Sequence, residues 1–274
     1  MIVYPHAKIN IGLSVIGKRP DGFHNIETVF YPIQLLDTLE IEPSGTGTTE
    51  KIVFTCDGIV LPDDGLKNNL CCKAYHLLDA DYRLPPVSIH LHKLIPVGAG
   101  LGGGSSDAAY TLKALNVLFQ LQIPFEKLAE YASRLGSDCA FFLQSNPAFG
   151  AGKGDILEPI SLPLDEYHIV LVKPPVFVST ADAYACVVPQ KTTYRLPELL
   201  QNPVDEWRHT VFNDFEASVF QKFPETGRIK ERLYLEGAVY AAMSGSGSCV
   251  YGIFRERPDD VAKMFPDCFV WTNK

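Results

Sequence analysis

Apolar and polar residues alternate in "VSIHLHKLI" (87–95), with Ser88, His90 and His92 on one face and Ile89 and Leu91 on the other, which predicts a half-buried strand. Partial alternation and β-branched residues, bounded by Gly, Pro and Asp, predict further strands in "INIGLSVIG" (9–17), "ETVFYPIQLLDTLEIEP" (27–43) and "KIVFTCDGI" (51–59). Helical spacing replaces alternation at Leu70, Ala74, Leu77 and Leu78, and returns at Ala108, Leu112, Leu115 and Phe119 in a helix that Ser105 or Ser106 would cap. A further helix, "PFEKLAEYASRLG" (124–136), starts near Pro124 and stops at Gly136. Beyond residue 150 the texture changes to a glycine-rich "AFGAGKGD", a strand-like "HIVLVKPP" (168–175), a polar stretch, a helix-like segment and a turn-rich "AAMSGSGSCVYGIF" (241–254). This pattern divides the chain into domains 1–157 and 158–274.

Between the strand at 87–95 and its following helix lies "PVGAGLGGGSSDAA" (96–109), in which Gly98-x-Gly100-x-x-Gly103 satisfies the dinucleotide fingerprint literally. A dinucleotide fold also needs a return strand and a ribose-binding acid about 20 positions on. Here helix follows helix. The Walker A pattern fails too, because Gly-Lys-Ser/Thr is absent, and the valine of a protein-kinase glycine loop is missing. What the glycines do supply is backbone access: N–H groups converge without side-chain obstruction, and the helix adds unpaired N–H groups and its positive dipole end. Gly98 to Ser106 is therefore a candidate polyphosphate cradle, with a tight turn for helix packing as the plainer alternative.

Composition narrows the partners. A chain of 274 residues that is 46% hydrophobic and 20% charged can bury a sizeable core and carries no signature of disorder. A net charge of −8 disfavours broad nucleic-acid binding but allows a local site for a phosphorylated small molecule. Seven cysteines lack Cys-x-x-Cys spacing, so reduced thiols in a cytoplasm are expected, and no run of about 18 apolar residues predicts membrane insertion. His90 and His92, two on one strand face without a third ligand, read as solvated or structural rather than as a metal site.

Several residues read two ways. Asp138 follows a helix end and precedes an apolar "CAFFL", which suits either a turn or a desolvated proton acceptor. Lys8, flanked by Ala7 and Ile9 in a strand, would ordinarily send its ammonium to solvent. "PDGFHN" (20–25) is a turn signal, and Ser244 to Ser248 are either a tight strand entry or backbone N–H groups available to a phosphate.

Five ordered stretches resemble the GHMP small-molecule kinases: "AKINIGL" (7–13), "KRPDGFHNIETVF" (18–30), "PVGAGLGGGSSDAA" (96–109), "GSDCAFF" (136–142) and "MSGSGSCVYGIF" (243–254). The resemblance covers nearly the whole chain. It implies an α+β fold of two domains, with a ribosomal-protein-S5-like nucleotide domain followed by a ferredoxin-like domain. It further implies ATP- and Mg2+-dependent phosphorylation of the 2-hydroxyl of 4-diphosphocytidyl-2-C-methyl-D-erythritol. Asp138 would be the base and Lys8 its charged partner, with Asn10 a neutral hydrogen-bonding group nearby. Pro96, Val97, Gly98, Ala99, Gly100, Leu101, Gly102, Gly103, Gly104, Ser105 and Ser106 would wrap the ATP phosphates, with Lys93 approaching the nucleotide. Asn69 and Leu70 would border the adenine, and Ser106 is a candidate to orient the nucleotide or its magnesium, no dedicated metal ligands being expected. Asp21, Phe23, His24 and Tyr184 would hold the cytidine, by stacking at Phe23 and Tyr184 and base-edge hydrogen bonding at His24, while Ser244 and Gly245 would hold substrate phosphate. Asp107 stands where asparagine or alanine is expected, and should point away from the phosphates. A monomer or weak homodimer, without nucleic acid or membrane partner, completes the expectation. The alternatives are a GHMP kinase for another alcohol, of homoserine or mevalonate type, a dinucleotide-binding oxidoreductase, and a non-catalytic nucleotide-binding module.

Overall fold

The computed structural model describes residues 1–44, 50–60 and 68–273. These form two compact units that are discontinuous in sequence: residues 1–7, 34–97 and 102–145, and residues 8–33, 98–101 and 146–274.

The first unit holds a sheet in the order β1 (Ile2–Val3), β4 (Thr38–Pro43), β6 (Val87–Lys93), β5 (Ile52–Gly58), antiparallel at β4/β6 and parallel at β5/β6. Alternation in β6 is realised as expected. Val87, Ile89 and Leu91 are buried, while on the other face His90 Nδ1 meets Thr55 Oγ1 at 2.9 Å and His92 Nδ1 meets Asp57 Oδ1 at 2.6 Å. Both histidines are thus surface partners, and among the described residues no cluster of His, Cys, Asp and Glu could hold a metal. Helices α1 (Leu70–Tyr82), α2 (Gly103–Leu118), α3 (Phe125–Leu135) and α4 (Phe141–Gln144) belong to the same unit, with α2 packed against the other three.

Two local expectations need correction. The run 27–43 is two strands, β3 (His24–Leu36) and β4, broken at Asp37, whose carboxylate is fully buried and cannot sit in an uninterrupted apolar ladder. Helix α2 begins at Gly103, ahead of Ser105 and Ser106; its cap is Gly102, left-handed at φ 70°, with no side-chain cap bond. Both serines lie inside the first turn.

The second unit holds an antiparallel sheet ordered β10 (Tyr240–Met243), β11 (Val250–Phe254), β9 (His168–Lys173), β12 (Phe269–Thr272). With helices between β9 and β10 and between β11 and β12, this is the βαββαβ order of a ferredoxin-like domain. The helices include α5 (Thr180–Tyr184), α6 (Phe215–Lys222) and α7 (Pro224–Leu235). Their apolar faces meet Val170, Val172, Met243 and Val250 in a core that also takes in Leu13 and Val15. A further sheet runs β2 (His6–Lys18), β3, β7 (Ala148–Ala151), β8 (Ile156–Pro159), its strands lying mostly in this unit. The α+β class is the one expected.

Candidate functional site

In the first unit the residues gather at the N-terminal end of α2. The first helical turn leaves its leading N–H groups without intrahelical partners, and the first intrahelical donor is Ser106, to the Gly102 carbonyl at 2.9 Å. Ser106 Oγ is buried with no hydrogen-bond partner among the described residues. A buried hydroxyl in that condition beside free helix N–H groups is a fitting donor set for a phosphate or a phosphate-bound cation. Leu70 lies next to this end of the helix, its Cδ1 3.7 Å from where a Cβ on Gly104 would stand. Asn69 caps α1, its Oδ1 accepting from the Cys71 N–H at 2.8 Å. Of the loop residues, Pro96 is buried and Val97 is exposed.

Lys93 is placed differently from a free nucleotide contact. Its ammonium is buried and donates to Asp37 Oδ2 at 2.5 Å and Asp107 Oδ2 at 2.6 Å. Burial works against that charge, but Asp107 and Asp37 outweigh it and hold the ammonium above its ordinary value. Burial pushes the Asp107 carboxyl up to about 7 against the pull of Lys93. Asp107 therefore faces inward to an ion pair. Asp138 lies half-buried in the turn between α3 and α4, its carbonyl accepting from Phe141 N–H at 3.2 Å. Next to it, burial pushes the Cys139 thiol up to about 12, so this cysteine stays protonated and is no nucleophile at neutral pH.

In the second unit the segment 98–101 is threaded between β2 and the loop 244–248. Lys8 is buried; its ammonium donates to Asn10 Oδ1 and, at 2.9 Å, to the Gly100 carbonyl, and stands 5.4 Å from the Phe30 ring centre. Asn10 donates from Nδ2 to Thr28 Oγ1 at 3.0 Å and from its backbone N–H to Ser244 Oγ at 3.1 Å. Ser244 Oγ in turn donates to Gly100 at 2.9 Å. Ala99 and Leu101 are buried, and their carbonyls accept from Cys249 N–H (3.2 Å) and Lys8 N–H (3.0 Å), while the Gly98 carbonyl accepts from Ser248 N–H (3.4 Å). Gly100 is obligatory by space: at φ 74°, a Cβ there would lie 1.9 Å from the Ser244 carbonyl oxygen.

The turn 19–23 is held by Asp21, which accepts from Arg19 and, at 3.1 Å, from the Phe23 N–H; the Arg19 hydrogen bond keeps its carboxyl below the usual range. Phe23 is exposed. His24 stacks on Tyr184, ring centres 4.5 Å apart and planes at 20°. Tyr184 is braced edge-on by Phe215 at 4.6 Å.

Lys153, Asn213, Thr28 and Asp37 were not legible as site residues. The Lys153 ammonium lies 5.1 Å from the Phe23 ring centre. Asn213 Nδ2 donates to Met243 and Gly245 carbonyls, both at 2.8 Å, fixing the 244–248 loop. Asn213 and Asp214 ahead of an apolar helix carry a helix-start signal in sequence, but nothing that assigns the two carbonyls to which Asn213 donates or the Val15 N–H from which Asp214 accepts.

The chain belongs to the GHMP kinases, small-molecule kinases that use ATP: the N-terminal domain model of that family matches residues 69–146 and the C-terminal model residues 196–270. Among its curated relatives, 4-diphosphocytidyl-2-C-methyl-D-erythritol kinase of Bacteroides fragilis is 52% identical, covering 96% of this chain and 95% of that one. The protein of the same name from Parabacteroides distasonis is 49% identical over 100% and 99%. A crystal structure of 4-(cytidine 5'-diphospho)-2C-methyl-D-erythritol kinase superposes with a TM-score of 0.81 at 33% identity, covering 99% of this chain and 98% of that one. Among the described residues, no helix is long and apolar enough to cross a membrane.

Proposed function

We propose that this chain transfers the γ-phosphate of ATP to the 2-hydroxyl of 4-diphosphocytidyl-2-C-methyl-D-erythritol, a step in the non-mevalonate route to isoprenoid precursors. The observation that carries the reading is the 52% identity to a kinase of that name, sustained across 96% of the chain. The stacked His24–Tyr184 pair, with the exposed Phe23 ring on the same strand entry, supports a base-binding face and so a nucleotidyl substrate.

Phosphoryl transfer asks the protein to align the hydroxyl, take its proton and offset charge on the phosphates. In this reading Asp138 accepts the proton, and Lys8, held in place by Asn10 and the Gly100 carbonyl, stabilises the negative charge that develops. Residues 96–106 take the ATP phosphates on backbone N–H groups, Asn69 and Leu70 border the adenine, and Ser244 and Gly245 receive substrate phosphate. Magnesium, if bound, would be held with the help of the orphaned Ser106 hydroxyl and would supply charge compensation on the phosphates.

Asp21, Phe23, His24 and Tyr184 hold the cytosine end. A cytoplasmic location fits seven free cysteines, and a monomer or weak homodimer without nucleic-acid partner belongs to the same proposal. The domain assignment 1–157 and 158–274 separates the two family matches, at 69–146 and 196–270.

The test is a steady-state assay with ATP and the cytidylyl substrate, homoserine or mevalonate. Turnover is expected with the first alone, and Phe23→Ala should raise its KM by on the order of tenfold or more, the loss of one base–aromatic stack. Comparable kcat/KM on homoserine or mevalonate, or an unchanged KM in Phe23→Ala, would refute the cytidine assignment.

A further inference from the structure

Three ionisable groups in the first unit meet almost wholly out of solvent. Asp37 and Lys93 are no more than 2% exposed and Asp107 is 3% exposed. The Asp37 carboxylate is saturated: Oδ1 accepts the Leu94 and Ile95 N–H groups at 2.6 and 2.8 Å, and Oδ2 accepts the Lys93 ammonium. The Asp37 N–H is itself tied to the Pro5 carbonyl at 2.8 Å. Lys93 closes the set by reaching Asp107, fourteen residues on, just past the first turn of α2. The clearance above the ammonium is small: a Cβ on Gly103 would stand 3.0 Å from Lys93 Nζ and 2.8 Å from Ile95 Cγ2.

These contacts sit at the two ends of the glycine-rich run. Asp37 fixes the backbone where the run leaves β6, and Lys93–Asp107 fixes the helix turn where it arrives. We propose that Asp37, Lys93 and Asp107 form a positioning triad that sets the two ends of the nucleotide loop, with Asp37 and Asp107 acting on ATP through the loop without touching it; this rests on the kinase reading above.

A buried ion pair is a poor source of net stability, since desolvation offsets much of the attraction, but it imposes a fixed geometry because any misplacement leaves a buried charge unpaired. Two carboxylates on one ammonium do this at both ends of a segment whose glycines impose few conformational limits of their own. The backbone N–H groups must converge on phosphate oxygens, so a shift of either end is felt as lost ATP affinity rather than as lost chemistry. The triad thus acts on the KM for ATP. It has no reason to act on the alcohol.

Asp37→Asn keeps an oxygen for the two backbone N–H groups and turns an amide toward Lys93, breaking the ion pair alone. Asp107→Asn keeps an acceptor for Lys93, whereas Asp107→Leu removes it. The expected result is a rise of about tenfold in KM for ATP in Asp37→Asn and Asp107→Leu, equal to one lost factor of ten in binding. Both should keep kcat within a few-fold and KM for the alcohol unchanged, and Asp107→Asn should restore KM for ATP to near the parent value. Calorimetric titration with a non-hydrolysable ATP analogue should show the same ranking.

An unchanged KM for ATP in both disruptive variants, or equal losses in kcat and both KM values, would overturn the triad while the parent enzyme still turned over. Failure of the parent chain to bind the analogue would instead remove the kinase reading. Should Asp37→Asn not fold, Asp107→Leu against Asp107→Asn decides the matter on its own.

Discussion

Lys8 shows how far one residue's role depends on what surrounds it. A strand lysine between Ala7 and Ile9 would place its ammonium in water, yet this one is buried against Asn10 and the Gly100 carbonyl. A buried ammonium fixed in place by such contacts can stabilise the negative charge that an attacking alkoxide and a γ-phosphate present. If Asp138 and Lys8 serve the same proton transfer, Asp138→Asn should lower kcat by roughly 10² to 10⁴ while ATP binding persists. Lys8→Ala should do comparable damage, and the double variant should be little worse than either single one, because groups acting as a unit are strongly non-additive. Multiplicative loss of kcat in the double variant would show the two to be independent. Loss of folding in Asp138→Asn would return that aspartate to a turn-forming role.

At the scale of elements, the contrast between two glycines separates a conformational need from a compositional habit. Gly100 is left-handed and faces the Ser244 carbonyl, whereas Gly104 lies in α2 and is exposed, with nothing nearer than Leu70 Cδ1 at 3.7 Å. Gly100→Ala should therefore lower the thermal midpoint and cut kcat/KM by more than tenfold. Gly104→Ala should raise the midpoint by the equivalent of about 0.4–1 kcal/mol, since alanine narrows the unfolded chain without native strain. Differential scanning fluorimetry of the two decides, and a stable Gly100→Ala would contradict the loop–loop packing.

The elements themselves were readable wherever one period dominated: β6 by alternation, α1 and α2 by helical spacing, α3 by Pro124 and Gly136 at its ends. What escaped was set by distant partners. Lys93 is expected from the resemblance to approach the nucleotide, and its burial depends on Asp37, 56 residues away, and Asp107, which both reach it. The same holds for Asn213, whose two carbonyl partners lie 30 and 32 residues on. The helix cap lies three or four residues ahead of the expected Ser105 or Ser106 because Gly102 caps by conformation, with no side-chain signal to find. The five family stretches were visible because glycine loops and turns carry their constraint locally, in residue type.

For the whole molecule, a net charge of −8 offers no general attraction for a polyanion, so in the proposed reading the charge of ATP is met by local groups such as backbone N–H groups. Such a protein gains nothing from hydrolysing ATP alone and everything from excluding water while an alcohol attacks. The central claim is therefore one of destination: the γ-phosphate goes to the 2-hydroxyl of a cytidylyl-linked tetritol. Phosphorus NMR of the protein with ATP, magnesium and 4-diphosphocytidyl-2-C-methyl-D-erythritol reads this directly. The account predicts that the ATP γ-resonance is replaced, one for one, by a single phosphomonoester resonance on the tetritol, with the cytidine diphosphate resonances retained. Release of the γ-phosphate as inorganic phosphate, or its appearance anywhere other than on that tetritol hydroxyl, would contradict it.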